Sequence, residues 1–271
     1  MIPALVAMVS GPFARAMLTA FFFFGSLNGF VLLPLYIHRL GGTEASIGMV
    51  QGIYSGTGII CQPLVGAWID RLGRRIFMLL GASILTVATA AFMVTSSIPG
   101  LAVLRAVHGV AFSAFFVANY LYVVDLVPPE RRGWALGIFG LSGLISTSLA
   151  PLFGEFLVRH WGFSALFAFS TLLAMAATAG AERMRDVRPP ALGVGTTVDV
   201  FRDSVRELWR LHMGLMFCFG LGTGTIFTSE SSFAYWERKG KRAKRKGPAQ
   251  FRYAVRHEDA VYKIHHFDGV V

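Results

Sequence analysis

Apolar stretches long enough to cross a lipid bilayer recur along this sequence, separated by short connections rich in Gly, Pro and charged residues. A helix needs roughly 20 apolar residues to cross a hydrocarbon core about 30 Å thick. The pattern therefore predicts an all-α integral membrane protein. We expect transmembrane helices over residues 17–37, 46–68, 76–96, 100–124, 134–157 and 162–181, with a partial seventh over 211–228.

The composition favours a membrane protein, and the residue patterns do not suggest an enzyme. Hydrophobic residues make up 54% of the 271 residues and charged residues 15%, whereas soluble domains carry about 25% charged residues. Cys61 and Cys218 both lie in apolar stretches, so we expect neither a disulfide framework nor a clustered metal site. The sequence has no paired-carboxylate site and no Ser/His/Asp pattern. We therefore expect no catalytic residues, no metal and no cofactor.

Positive charges are distributed unevenly between the alternate connections. Arginine is concentrated before the first predicted helix and after the second, fourth and sixth, whereas the opposite side carries Arg39 and Arg159. Loops rich in Lys and Arg remain in the cytoplasm. The sequence thus predicts a multi-pass protein of the plasma or inner membrane with a cytoplasmic N-terminus.

The connection after the second predicted helix, GAWIDRLGRR at residues 66–75, places four charges within ten residues. Charges at the bilayer centre cost about 3 kcal/mol each, so this segment must turn outside the hydrocarbon. Gly73 suits a tight bend, and Gly66 suits a close approach between helices. On charge alone, the segment is either a topology signal or a functional element.

The order of residues in this connection is more specific than its charge. Gly66-x-x-x-Asp70-Arg71-x-Gly73-Arg74-Arg75 resembles the signature loop between the second and third helices of the major facilitator superfamily.

Three further segments are similar to motifs of the same family. They are Arg105-x-x-x-Gly109 in the fourth helix, Asp125-x-x-Pro128-x-x-Arg131-Arg132-Gly133 after it, and Ala150-Pro151-x-x-Gly154 in the fifth helix. Ala150 stands where antiporters of this family often have Gly, a departure that weakens any inference of antiport.

The resemblance implies a fold of two six-helix halves around a central cavity, each half an inverted pair of three-helix repeats. Residues 1–181 correspond to one half, 182–210 to a cytoplasmic linker with an amphipathic helix, and 211–228 to a partial seventh helix. The implied activity is transport of a small organic solute, by efflux or uptake, with protons as a candidate coupling ion. The expected partners are the lipid bilayer, the solute, and a second half-bundle or homodimer, but not nucleic acid.

The chain departs from the family pattern near its C-terminal end. All five lysines lie in residues 229–271, whereas every basic side chain before them apart from histidine is arginine. We expect this tail to be disordered or out of frame, and the transporter to be truncated. The alternatives are a working basic patch for an anionic partner and, for the chain, a non-transporting fragment or a half-transporter that needs a partner half.

The resemblance also assigns a role to one charge pair. An arginine of the family's signature loop pairs with an acid at the end of the fourth helix and braces the cytoplasmic gate. By position, these residues are Arg74 and Asp125. A charge pair between two helix ends in a low-dielectric rim can form in one conformation and break in another, so we expect a latch.

Five polar residues within the predicted spans are candidates for a substrate or proton pathway. Arg105 either faces a cavity or extends to the outer interface, and His108 is either functional or a packed core residue. Asn28 and Asn119 either contact a substrate or join helices. Glu155 either carries protons or pairs with Arg159.

Two pairs of glycines have the four-residue spacing that lets helices pack closely. They are Gly25 with Gly29 in the first span and Gly52 with Gly56 in the second. We predict that both pairs face neighbouring helices.

Overall fold

The computed structural model describes residues 11–185, of which Asp70 and Arg71 are described by their backbone only. Within this range the chain is almost entirely helical and forms no β-strand. The helices are α1 (Pro12–Asn28), α2 (Leu33–Arg39), α3 (Glu44–Leu72), α4 (Arg74–Phe92), α5 (Ile98–Asp125), α6 (Arg132–Trp161) and α7 (Phe163–Glu182). Short 3₁₀ turns, Gly29–Leu32 and Pro129–Arg131, precede α2 and α6.

The predicted spans up to residue 181 coincide with these helical segments. In the described part of the chain, five segments are long and apolar enough to cross a membrane: Pro12–Arg39, Arg74–Phe92, Ile98–Asp125, Pro129–Trp161 and Phe163–Glu182. The predicted span over 46–68 is also present as a helix, although it is less apolar than these five segments. This helix is α3, with 29 residues, and Gln51, Gln62 and several Gly, Ser and Thr residues lower its hydropathy.

Single glycines separate the helices at two corresponding places in the fold. Gly73 lies between α3 and α4 with φ +94°, and Gly162 lies between α6 and α7 with φ +86°. A residue with a Cβ rarely adopts these conformations. The prediction of a tight bend at Gly73 is confirmed, and the second and third segments of each three-helix repeat are joined in the same way.

Helix α5 packs against α3 and α4 through glycines that allow the backbones to approach closely. A Cβ at Gly109 of α5 would lie 2.6 Å from the Tyr54 carbonyl oxygen of α3. A Cβ at Gly81 of α4 would lie 2.6 Å from the Phe115 amide nitrogen of α5. Larger side chains cannot enter either contact without moving a backbone, so these glycines fix the spacing of three helices.

The two predicted glycine pairs differ in what they face. A Cβ at Gly25 would lie 3.2 Å from Leu173 of α7, and one at Gly29 would lie 2.9 Å from the Ser170 hydroxyl, so the first pair is confirmed. The prediction for the second pair is wrong within the described residues. Apart from the backbone of α3 itself, no atom lies within 4 Å of a Cβ at Gly52 or Gly56. The same holds for Gly66, where we expected a close helix approach.

The reason lies in the helical period of α3. Its contact with α5 runs through Tyr54, Thr57 and Gly58, whereas Gly52 and Gly56 lie on another face of the same helix.

Several predictions concern segments outside the described residues. These are the linker beyond residue 185, the partial seventh helix over 211–228 and the basic tail over 229–271. They stay predictions.

Candidate functional site

The signature connection places Arg74 at the beginning of α4, directly after the bend at Gly73. Arg74 is 5% exposed, and its Nε lies 3.2 Å from Oδ2 of Asp125, the last residue of α5. The predicted pairing is therefore present.

Both members of this pair occupy the helix end that disfavours their charge. Helix N-termini carry partial positive charge and C-termini partial negative charge, yet Arg74 begins a helix and Asp125 ends one. Each charge alone destabilises its helix terminus, and the contact between them offsets both effects. Separating the pair is costly unless another counter-charge replaces the lost partner.

Two further arginines close the C-terminal end of α7. Arg75 Nη2 donates to the Glu182 carbonyl oxygen at 2.6 Å, and Arg15 Nη1 donates to the Arg183 carbonyl oxygen at 3.2 Å. The last carbonyls of a helix have no partner within the helix, and guanidinium groups satisfy them well. Neighbouring arginines of the signature connection thus bind different helices, Arg74 to α5 and Arg75 to α7.

The remaining motif residues lie in different surroundings. Arg131, Arg132 and Gly133 are exposed where the second 3₁₀ turn leads into α6. Pro151 lies within α6, and a Cβ at Gly154 would lie 2.9 Å from Leu32 of the first 3₁₀ turn. Asp70 and Arg71 lie in the last turn of α3, and their side chains are outside the described residues.

Arg105 lies inside the bundle between aromatic rings. Only 3% of the residue is exposed, and its Cζ lies 5.2 Å from the centroid of Phe30 and 5.1 Å from that of Tyr54. The alternative in which Arg105 extends to the membrane interface is therefore wrong. Among the described residues, no carboxylate pairs with Arg105, and its Nε has no hydrogen-bond partner.

A proline explains why Arg105 points where it does. Regular helix geometry pairs the Phe30 carbonyl with the amide of Pro34, which has no N–H to donate. Instead, the Phe30 carbonyl oxygen accepts from the Leu33 amide across the 3₁₀ turn and from Arg105 Nη2 at 3.0 Å. The buried guanidinium thus satisfies an acceptor that the proline sets free.

His108 lies one helical turn after Arg105 and is completely buried. Its ring centroid is 4.7 Å from that of Phe30 and 5.1 Å from that of Phe92. Neither ring nitrogen has a hydrogen-bond partner among the described residues. This arrangement matches the alternative of a packed core histidine.

Both candidate asparagines join helices. Asn28 Nδ2 of α1 donates to Thr147 Oγ1 of α6 at 3.0 Å, and the buried Asn119 of α5 donates to the Ala16 carbonyl oxygen of α1 at 3.5 Å. Of the two alternatives, the structure shows the one in which these amides connect helices.

Glu155 lies on the exposed side of α6. Its Oε1 lies 2.7 Å from Arg159 Nη2, one helical turn later. The ion-pair alternative for Glu155 is confirmed.

The structure also brings together an aromatic row, which we define as Phe24, Tyr54, Phe112, Phe116 and Tyr120. Phe112 and Phe116 are stacked, with centroids 5.2 Å apart and planes inclined by 11°. Tyr54 and Tyr120 extend this stack at 6.0 Å and 6.2 Å, and Phe24 lies 6.5 Å and 6.3 Å from the central rings. From the sequence alone, only the four-residue spacing of the three rings in α5 is visible. Phe24 of α1 and Tyr54 of α3 reach these rings through tertiary packing.

The fold and the signature connection are those of the major facilitator type. A model of the Major Facilitator Superfamily matches residues 15–237, which is most of the chain. The chain belongs to the Major Facilitator Superfamily.

Curated relatives resemble part of the chain. The Multidrug resistance protein MdtG of Klebsiella pneumoniae (strain 342) is 33% identical over 140 residues, which covers 50% of this chain and 34% of the relative. MdtG of Salmonella choleraesuis (strain SC-B67) is 32% identical over 140 residues, which again covers 50% of this chain and 34% of the relative. The matched part spans about a third of the length of these relatives.

Solved structures share the fold. The human organic anion transporter MFSD10 (TETRAN) matches with a TM-score of 0.56 and 19% identity over 70% of this chain and 54% of that one. The POT family transporter PepTSo matches with a TM-score of 0.58 and 17% identity over 68% and 40%. The described helices therefore form a six-segment half bundle of this fold.

Proposed function

We propose that this chain forms half of a transporter that moves a small organic solute across the cell membrane by alternating access, in efflux or uptake. The family supports transport, and the curated relatives are named for multidrug resistance. The uneven distribution of arginine supports a cytoplasmic N-terminus. No cofactor is included in the proposal, and a proton is the candidate coupling ion.

The observation that carries the proposal is the pair of Arg74 and Asp125. In alternating access, two bundles rock around a central site, and the closed side is held by contacts that break when it opens. The pair joins the ends of α4 and α5 within one bundle, so it shapes the rim against which a second bundle would close. Because each charge lies at an unfavourable helix end, the pair opens readily only when a second bundle supplies other counter-charges.

The second bundle is either another part of a longer protein or a second copy of this chain. Within the described residues, Gly52 and Gly56 of α3 face open space, and α6 exposes Leu144, Leu152 and Phe153. These surfaces support a partner of the same transmembrane kind, because small residues permit close helix contact in membranes.

Flux measurements on the reconstituted chain test the proposal. The chain is placed in liposomes, and movement of ethidium and 2-naphthoate is followed with and without a pH gradient. We expect Arg74→Asp and Asp125→Arg each to lower flux at least tenfold, and the double variant to recover to within threefold of the original chain. The matched control exchanges Glu155 and Arg159, an exposed pair that we expect to leave flux unchanged.

Two results would count against this account. If the double charge exchange transports no better than the single variants, the latch is wrong. If no solute moves under any condition, the alternative holds, namely a membrane fragment or a half-transporter that needs a partner half.

A further inference from the structure

We propose that the aromatic row binds the ring system of a planar aromatic anion, with Arg105 supplying the counter-charge. This inference rests on the proposed function in taking the ligand to be the transported solute. It adds a binding surface and a chemical class of substrate that the family alone does not specify.

The first argument is the geometry of the rings. Phe112, Phe116 and Tyr120 follow at four-residue spacing, so they lie along one side of α5. The stack is open to one side, since the rings are only partly buried and Tyr120 is 40% exposed. A planar ring placed against this stack gains offset or edge contacts with several neighbours at once.

The second argument is the contrast with the exposed aliphatic surfaces of the bundle. Helices α4, α5 and α7 expose aliphatic side chains elsewhere, among them Val87, Val103 and Leu172. Such residues match lipid tails, which are themselves aliphatic. A continuous row of stacked rings gives no advantage with lipid but does with an aromatic ligand.

The third argument is charge. Tyr54 connects the row to Arg105, because its ring lies 5.1 Å from the guanidinium carbon and 6.0 Å from the Phe112 ring. Arg105 and Phe112 are seven residues apart and lie on the same face of α5. An anion bound at the Tyr54 end of the row is therefore separated from the buried Arg105 guanidinium mainly by the Tyr54 ring.

No acidic side chain of the described residues neutralises that cation. Asp125 pairs with Arg74 at the far end of α5, and Glu155 pairs with Arg159 on α6. Arg105 itself binds a carbonyl and two rings and keeps Nε unpartnered. In a low-dielectric surrounding an uncompensated positive charge acts over several ångströms, so it attracts aromatic anions and repels aromatic cations.

Equilibrium binding to the purified full chain in nanodiscs tests the inference. The probes are 2-naphthoate, the cation 2-(aminomethyl)naphthalene and the saturated anion decahydro-2-naphthoate, each measured by equilibrium dialysis against empty nanodiscs. We expect 2-naphthoate to bind at least tenfold more tightly than either of the other two. Equal binding of the saturated anion overturns the stacking argument, and tighter binding of the cation overturns the charge argument.

Variants assign the binding to the proposed residues. Phe112→Leu and Phe116→Leu should each weaken 2-naphthoate at least fivefold and leave decahydro-2-naphthoate unchanged. Phe153→Leu, at an exposed ring of α6, is the matched control and should change neither affinity. Loss of binding in the control variant, or none in the row variants, contradicts the assignment.

Two substitutions of Arg105 test whether its positive charge selects the anion. Arg105→Lys retains the positive charge and should retain the preference for the anion, whereas Arg105→Gln should abolish it and leave the aromatic preference. The comparison remains informative if one variant fails to fold, because the Lys variant losing the preference also contradicts the proposal. Binding without flux counts against the proposed function alone, and flux without binding of 2-naphthoate counts against this inference alone.

Discussion

The two ends of the bundle hold their arginines in different ways. At the end where α4 begins, Arg74 binds a carboxylate, and Arg75 and Arg15 bind helix carbonyls. At the other end, Arg105 lies between two rings and Arg39 lies 4.9 Å from the ring centroid of Phe163. One end uses directional polar contacts, and the other uses aromatic packing.

This difference indicates which end can change conformation at low cost. Charge-assisted hydrogen bonds at helix ends can be exchanged one at a time for contacts with another charged partner, and this replacement keeps the cost low. Tightly packed rings lose many van der Waals contacts at the same time when one of the rings moves. We therefore expect the charged end to switch and the aromatic end to serve as scaffold.

The largest effect is expected from Phe30→Ala at the aromatic end. The ring of Phe30 is buried, with centroids 4.6 Å from Phe92, 4.7 Å from His108 and 5.7 Å from Phe167. Removal leaves a cavity among these rings, and such changes cost about 3–5 kcal/mol. Unfolding of the purified protein by denaturing detergent, followed by circular dichroism, measures the loss.

Phe156→Ala is the matched control, because Phe156 is a half-exposed ring of α6. We expect its effect on the free energy of unfolding to be less than a third of that for Phe30. Similar effects at both positions would show that the aromatic end is no more cooperative than an exposed helix face.

An intermediate effect is expected from Arg75→Gln at the charged end. The variant loses the bond to the Glu182 carbonyl oxygen, and we expect a loss of about 1 kcal/mol, since the contact is partly exposed to solvent. Hydrogen exchange should accelerate in peptides covering residues 176–185 and stay unchanged around α2. Arg132→Gln, which changes an exposed arginine, is the control and should leave hydrogen exchange in α7 unchanged. If Arg75→Gln accelerated exchange equally across the bundle, Arg75 would not act as a local cap of α7.

The smallest effect is expected from Glu155→Gln. This carboxylate pairs with Arg159 on one exposed helix face, and such pairs contribute about 0.3–0.5 kcal/mol. The free energy of unfolding should change by no more than this amount, and the difference should vanish at high salt. A larger loss would mean that an intrahelical pair matters as much as a contact between helices.

The sequence predicts the helical segments well because length and apolar content determine them locally. It also predicts the bend at Gly73, and the resemblance of two separate motifs to the family predicts the contact of Arg74 with Asp125. The cap by Arg75 has no sequence signal, because its acceptor is a backbone carbonyl. The aromatic row is likewise hidden, because it depends on how α1 and α3 align with α5.

Other differences arise because spacing does not specify a neighbour. Gly52 and Gly56 have the same spacing as Gly25 and Gly29, but only the latter pair meets another described helix. The position of Arg105 near the start of a span allowed it to reach the interface, yet the free carbonyl of Phe30 holds it inside the bundle. Tertiary contacts, rather than local pattern, decide both cases.

The break between α1 and α2 has a mechanical consequence. A proline that removes a helical hydrogen bond usually leaves a point at which a membrane helix bends. Here the freed Phe30 carbonyl is tied to Arg105, and the Gly109 contact in turn holds α5 against α3. The joint is therefore braced, because these contacts tie the break to α5 and α3, and the proline marks a fixed bend instead of a hinge.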